Sequence, residues 1–365
     1  MKKTLLLTHE YYPYRGGVAR YCYNLFRMVP TSGYVVLTDQ KGAAGENVIV
    51  QPLLSRVVWP RWLMGIVTVA RIARQHHCEI IVTPHILPLG AIAYGMKSLF
   101  RMPYVLSLHG LDILSALERR PAFTKRILRN ASAIIVNSEA TKQLLADQTL
   151  AVPVTVLTPS LDLSMIRVNE IERSVLKEKY KGKKIILTIG RLVRRKGQDM
   201  VIHAMKQILA VVPTAYYIIV GDGPDKEYFG SVIAEEQMED CVAILSDIDD
   251  EDIGAYYAIA AAYAMPSRRR THDVEGFGIV YLEAASFGLP IVAGNSGGEH
   301  EAVGDEDSAI VVDGRDVPAI AESIICLLDD DELAHHIGKA GKRHLKTMPT
   351  SEEQSARFIE LLSKL

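Results

Sequence analysis

The chain has 365 residues, 48 % of them hydrophobic, and a formal net charge of −2 at pH 7, ample for two buried cores, long for one, and no reason to expect a nucleic-acid partner. The charge is unevenly split: residues 1–170 carry 19 Lys and Arg against 10 Asp and Glu, residues 171–365 carry 22 against 33, and a balance of +9 is followed by one of −11. Cys22, Cys78, Cys241 and Cys326 are scattered, with no CxxC pair or Cys/His cluster, which argues for buried thiols and against structural zinc or a disulfide framework.

Along the chain, short apolar runs alternate with longer helical patterns. Leu5–Thr8, Tyr34–Thr38, Asn47–Gln51, Ile80–Thr83, Tyr104–Leu108, Ala133–Asn137 and Val154–Thr158 read as strands of a first unit. Ile185–Ile189, Ala215–Val220, Cys241–Leu245, Ala262–Met265, Pro290–Ala293 and Ala309–Val312 read as strands of a second. Such alternation implies an α/β protein with a mostly parallel sheet in each half. The hinge is expected near Pro159–Asn169, giving domains 1–163 and 164–345 and a C-terminal helical segment 346–365. The apolar run Thr4–Thr8 is too short for a signal peptide and no apolar run of about 18 residues follows. The expected location is cytoplasmic, peripheral on the cytoplasmic membrane face.

Several segments carry chemistry. After the first strand, the loop His9–Arg20 contains Gly16-Gly17, whose backbone donors can approach a ligand closely. Trp59–Arg74 mixes aromatic, apolar and cationic positions, as does a helix lying at a lipid headgroup boundary; Arg61, Arg71 and Arg74 would meet phosphate, and Arg119, Arg120, Lys125, Arg126 and Arg129 would enlarge the patch. His109 follows a strand in Ser107-Leu108-His109-Gly110. Asn137-Ser138-Glu139 reads chiefly as a helix cap. The run from Ile185 ends in Gly190 and opens a cationic loop with Arg191 and Lys196, at the strand end where open α/β sheets bind ligands. A guanidinium fork and a compact ammonium suit a diphosphate. Val220-Gly221-Asp222-Gly223-Pro224 begins like a dinucleotide fingerprint but lacks its third glycine. Ser267 stands just beyond a strand end, followed by Arg268-Arg269-Arg270, a solvated charge run or an acceptor contact.

The most informative stretch is His272–Glu283, in which two carboxylates bracket the turn Gly276-Phe277-Gly278 before an apolar helix. The glycines let backbone N–H groups reach an anion, and the helix turns its positive end toward it. Glu283 can accept from both ribose hydroxyls and Glu275 from a sugar ring. The acidic runs Asp249–Asp252 and Asp329–Glu332 read as helix starts or solvated faces, not metal sites.

The paired glutamates around Gly-Phe-Gly, with the Gly190-Arg191-Leu192…Lys196-Gly197 loop, resemble the signature of retaining glycosyltransferases of the GT-B family 4. Further matches run from the first strand to about residue 327. The resemblance implies two doubly wound Rossmann-like domains facing across a cleft, an N-terminal acceptor-binding domain, a C-terminal donor-binding domain and a last helix, Ser351–Leu365, returning to the first. It implies a catalytic set of His109 (a donor-sugar contact), Arg191, Lys196 and Glu275, and donor binding by Gly16, Gly17, Ser267, Gly276, Phe277, Gly278 and Glu283. The expected activity is metal-independent, retaining transfer of a hexose from a nucleoside diphosphate sugar to a hydroxyl of a lipid-linked or polysaccharide acceptor, without a cofactor. The chain departs from the family at Pro159-Ser160-Leu161-Asp162, where many relatives carry a glycine, and at Asp307–Val311. Alternatives are a GT-B sugar-nucleotide epimerase, a non-catalytic nucleotide-sugar-binding module and a glycoside hydrolase using Glu275 and Glu283, which would leave the cationic loop unexplained.

Overall fold

The computed structural model describes every residue except Met1, Arg15, Arg56 and His272; Arg15 and His272, which stand in two of the motifs above, therefore lie outside the described residues. The chain forms two compact units, Met1–Ser160 with Pro349–Leu365, and Leu161–Met348.

In the first unit the strands are β1 (Thr4–Thr8), β2 (Tyr34–Thr38), β3 (Val48–Val50), β4 (Ile80–Thr83), β5 (Tyr104–Leu108), β6 (Ala133–Val136) and β7 (Val154–Val156). They make one parallel sheet in the order β3-β2-β1-β4-β5-β6-β7. Its helices are α1 (Gly17–Phe26), α2 (Leu63–Gln75), α3 (Ala91–Phe100), α4 (Leu111–Arg119), α5 (Pro121–Asn130) and α6 (Glu139–Gln143). Period-two alternation divides β1 between two cores. Leu5 and Leu7 join Ile66, Val69 and Ile92 from α2 and α3, whereas Leu6 joins Tyr21, Leu25 and Phe26 of α1.

The second unit contains β8 (Lys184–Ile189), β9 (Ala215–Val220), β10 (Val242–Leu245), β11 (Ala262–Met265), β12 (Ile291–Gly294) and β13 (Ile310–Val312), parallel in the order β10-β9-β8-β11-β12-β13. Its helices are α7 (Glu170–Lys179), α8 (Gln198–Val211), α9 (Lys226–Glu235), α10 (Ile253–Ile259), α11 (Ile279–Phe287), α12 (Glu299–Val303), α13 (Val317–Asp329) and α14 (Asp331–Leu345). Ile186 of β8 faces the core built with α8, α9 and α13, while Ile185, Leu187 and Ile189 face that built with α10 and α11. The last helix, α15 (Ser351–Ser363), belongs to the first unit. There Phe358 meets Phe26 edge-on at 5.0 Å, and Ser355 Oγ donates to the Leu25 carbonyl at 2.8 Å.

Each expected strand forms, with ends shifted by two residues at most. Two details differ from expectation. The amphipathic segment read as Trp59–Arg74 is helical only from Leu63. Cys326 is exposed and Cys78 and Cys241 are half-buried, leaving Cys22 as the buried thiol, because Cys326 stands on a face of α13 that the core does not cover. Both acidic runs stand at helix starts, as expected: 249–252 leads into α10 and 329–332 into α14, where Asp330 caps by accepting the Leu333 N–H at 2.9 Å.

Strand order reverses direction between β1 and β4 in the first sheet and between β8 and β11 in the second. At such switch points the two adjoining loops leave the sheet to opposite sides and open a crevice at the carboxyl edge.

Candidate active site

In the second unit, the cationic segment with Arg191 and Lys196 follows β8 and the glutamate motif follows β11, and these two loops flank the switch point. The first is held in place by Gly197, at φ +79°, where a Cβ would stand 2.2 Å from the Pro266 carbonyl oxygen of the second. Only glycine permits that backbone and that approach. Lys196, immediately before it, is thereby buried against β11, with Nζ 3.0 Å from Glu275 Oε2 and 3.5 Å from Met265 Sδ.

Glu275 is buried and receives a second cation, Arg195 Nη1 at 2.5 Å. Arg195 also pairs through Nε with Asp273 at 3.0 Å. The cluster holds two cations and two carboxylates, so it is neutral. Burial alone would raise the Glu275 carboxyl, but the charges and hydrogen bonds of Arg195 and Lys196 overcome it and hold it at about 2. Glu275 is therefore an ionised acceptor at neutral pH, with no proton to give. Gly298 N–H donates to its carbonyl at 2.9 Å, and a Cβ on Gly297 would stand 2.3 Å from the same oxygen, so the turn before α12 braces the loop from behind. Glu299 holds that turn by accepting the Gly297 N–H at 2.6 Å.

Gly278, at φ +89°, precedes the first residue of α11, and a Cβ there would strike the Tyr281 ring at 2.6 Å. The first turn of α11 consequently presents unshielded backbone dipoles at the sheet's carboxyl edge. The Phe277 ring is buried in the core with Tyr281 and Leu282, so only its backbone is available to a ligand. Glu283, one turn on, is buried and accepts from the Tyr257 hydroxyl at 2.8 Å. Ser267 is fully buried, its Oγ 3.5 Å from the Tyr281 hydroxyl. The Arg191 side chain is exposed and takes no side-chain partner among the described residues, while its carbonyl accepts from Gln198 Nε2 at 3.1 Å. The structure thus joins Lys196 directly to Glu275 and leaves Arg191 apart at the loop's entrance.

In the first unit, His109 follows β5 and its backbone N–H donates to Asp112 Oδ1 at 3.0 Å. Its ring stands edge-on to Tyr21 at 4.9 Å, and its Nε2 is buried without a hydrogen-bond partner. Burial pushes the imidazole down to about 4, so it is neutral at pH 7. The same edge carries two residues that the sequence did not single out. His9, after β1, pairs with Asp39 at 2.8 Å, and His85, after β4, lies 5.3 Å from the His9 ring with its own Nε2 unpartnered. Asp39, His9, His85 and His109 follow the strand order β2, β1, β4, β5. Nothing in their spacing reveals this row, because it depends on the order of the sheet. A Cβ on Gly16 would meet the Tyr14 ring at 2.8 Å and Glu10 Oε2 at 2.9 Å; one on Gly17 would meet open space.

Arg195 and Asp273 are the site residues that sequence reasoning passed over. One stood in a basic run and the other beside a better-marked glutamate, and only folding pairs them. Among the described residues no group of three His, Cys, Asp or Glu is placed to hold a metal ion.

Residues 170–344 match the family model described as glycosyl transferases group 1, and residues 15–165 that described as glycosyltransferase family 4. Among curated proteins, the chain is similar to the GDP-mannose-dependent alpha-(1-6)-phosphatidylinositol monomannoside mannosyltransferase of Mycolicibacterium smegmatis, at 31 % identity over 98 % of each chain. Its counterpart in Mycobacterium tuberculosis is 29 % identical over 99 % of this chain and 98 % of its own. Among solved structures, the fold is similar to that of Anabaena HepE in complex with UDP and glucose, with TM-score 0.85, 21 % identity and 100 % of both chains covered. Sucrose-phosphate synthase from Thermosynechococcus elongatus gives TM-score 0.82 at 20 % identity, over 100 % of this chain and 99 % of that one.

Proposed function

Because the chain belongs to the GT-B glycosyltransferases of family 4, we propose that it transfers a mannosyl group, with retention, from GDP-mannose to a hydroxyl of a mannosylated phosphatidylinositol. The donor and acceptor in this reading come from what the mycobacterial relatives are named for. The observation that carries the chemistry is the buried Arg195–Lys196–Glu275 cluster, set at the switch point beside the start of α11.

In this reading the diphosphate lies between the first turn of α11 and the loop carrying Arg191 and Lys196, and Glu283 takes the ribose hydroxyls. Glu275, kept ionised, accepts from hydroxyls of the transferred sugar. The bond from the anomeric carbon to the β-phosphate oxygen breaks as the bond to the acceptor oxygen forms on the same face, and the acceptor's proton passes to the departing phosphate. The growing negative charge is met by preorganised donors, with no metal. His109, a neutral imidazole at pH 7, keeps in this reading the donor-sugar role that the family resemblance implies. A hydrolase using Glu275 as its acid is disfavoured, because that carboxyl stays ionised at neutral pH.

The lipid acceptor calls for a membrane surface, and the first unit offers one. Gly65, Ile66, Val69, Ile72 and Ala73 of α2 face the core, while Leu63, Met64, Val67, Arg71 and Arg74 are exposed. Trp59, 76 % exposed, precedes them. Trp62 stacks on Phe123 of α5 at 5.8 Å, which brings exposed Lys125 and Arg126 to the same surface. This is an apolar edge ringed by cations, suited to anionic lipid on the cytoplasmic face. No described helix is long and apolar enough to cross a membrane.

The test is transfer to vesicles containing phosphatidylinositol monomannoside, with GDP-mannose, UDP-glucose and UDP-galactose compared and products read by mass spectrometry. A lipid gaining one hexose from GDP-mannose, with activity intact in excess chelator, is the expected result. Conversion of the nucleotide sugar without a lipid product would make the epimerase the better reading, and binding without turnover the non-catalytic module.

A further inference from the structure

Beside the diphosphate loop, the second unit carries a cationic site that the proposed reaction leaves unused. An open cavity of about 380 Å³ is lined by Arg194, Arg268, Arg269, Arg270 and Arg315, with Tyr228 and Thr271 completing the wall. The arginines do not reflect a basic domain, since residues 171–365 carry a balance of −11.

Two of the five are neutralised. Arg268 grips Asp199 with both guanidinium nitrogens, at 2.9 and 2.5 Å. Arg194 lies 3.8 Å from Asp225 and stacks over the Tyr228 ring at 3.6 Å, while the Tyr228 hydroxyl is spent on Asp199 at 3.2 Å. Arg269, Arg270 and Arg315 have no carboxylate in ion-pair range among the described residues. Of the two acids that flank Arg315 in sequence, Asp316 caps α13 by accepting the Ala319 N–H at 3.0 Å, and the Asp313 carboxylate accepts the Arg315 backbone N–H at 3.0 Å. The loop is nonetheless fixed. Arg315 Nη2 donates to the Arg269 carbonyl at 2.7 Å, Arg268 N–H donates to the Arg195 carbonyl at 2.8 Å, and Arg270 N–H to the Asp273 carbonyl at 2.9 Å.

Three uncompensated guanidinium groups held around one cavity repel one another, and a polyanion removes that cost. Their planar forks match phosphate oxygens in pairs, and a volume of this size admits a sugar or polyol ring in addition to its phosphates. We propose that this cavity binds a multiply phosphorylated polyol or sugar, at a site separate from the one taken by the donor's diphosphate. Such a ligand exists as a free metabolite or as a lipid headgroup, and both present the same chemistry to the arginines.

The test is calorimetric titration of the full chain with inositol hexakisphosphate in the presence of saturating GDP, which keeps the donor site occupied. Wild-type protein should bind, and Arg269→Ala/Arg315→Ala should bind at least about tenfold more weakly with unchanged GDP affinity, since charge-assisted pairs are lost. Lys196→Ala should do the reverse, losing GDP and keeping hexakisphosphate, so failure of the donor reading and failure of this one are distinguishable. Displacement of the bound probe by vesicles containing phosphorylated phosphatidylinositol assigns the site to a headgroup, and retention in their presence assigns it to a soluble ligand. Absence of binding under GDP overturns the proposal, as does a loss equal to that in Arg119→Ala/Lys125→Ala, a control on the first unit's basic surface.

Discussion

In the proposed reaction Glu275 serves the donor sugar, and it is also a buried, ion-paired group on which the stability of the second unit depends. Removing it as Glu275→Ala leaves Arg195 and Lys196 buried without their shared carboxylate, and breaking a buried ion pair from one side costs about 3–5 kcal/mol. Chemical denaturation should show that loss, together with a greater weakening of GDP-mannose than of GDP. Glu283→Ala should weaken both ligands alike. Arg191→Ala should lower turnover by about 10²-fold and leave stability unchanged, because its side chain is exposed and unpaired; wild-type turnover in that variant would remove its role. The first unit should respond to pH through its histidines. Burial lowers His109 to about 4 and, helped by the charges of His9 and His109, His85 to about 3, against about 6.5 in an unfolded chain. Below about 6.5 the unfolded state binds more protons, so stability should fall as pH is lowered from there toward 4. Glu275 contributes its own loss only lower, between its unfolded value of about 4.3 and about 2. Melting temperatures at pH 7.5 and 5 should differ less in His85→Gln/His109→Gln than in wild type, and an equal difference in both would refute the assignment. At this scale the sequence marks Lys196, Glu275 and Glu283 through glycine turns and strand ends, but not which charges pair. Arg195 looked like any member of a basic run until the β8 and β11 loops were brought side by side.

The strands were the most legible elements, because parallel strands buried on both faces read as nearly continuous β-branched runs, as in Ile185–Ile189 and Ile80–Thr83. Their order was not legible, and with it went the row of histidines along the first sheet's edge. The α2 segment shows a further limit: its apolar residues divide between core and solvent, and periodicity alone does not say which share is covered. Loop geometry makes a sharp prediction. Gly197→Ala would place a methyl 2.2 Å from the Pro266 carbonyl oxygen at a φ of +79°, so the two loops must separate and carry Lys196 away from Glu275. Donor affinity should fall together with stability, and crystallography of the variant should show the displaced ammonium; an unmoved Lys196 would mean that the glycine is dispensable. By contrast, Ser138→Ala should cost only about 1 kcal/mol, through the lost bond from the Thr141 N–H to Ser138 Oγ at 2.9 Å.

At the scale of the whole molecule, the opposite charge balances of the two halves predict that binding to anionic vesicles resides in the first unit. Sedimentation should rise with anionic lipid and fall with salt as screening requires, and Trp59→Ala/Val67→Ala should weaken it with GDP affinity intact. Indifference to anionic vesicles at low salt would point instead to a soluble acceptor. The path of the chain has its own consequence. It leaves the first unit after Ser160 and comes back at Pro349, and Ser160 Oγ lies 3.2 Å from Ser351 Oγ and 2.8 Å from Gln354 Oε1. Exit and return are neighbours, so residues 161–348 form a contiguous cassette spliced into a parent domain through two adjoining seams. A segment of that kind can be exchanged between relatives without redrawing the host, and a graft that changed the nucleotide accepted while leaving the acceptor lipid the same would show specificity for the two substrates to be inherited separately.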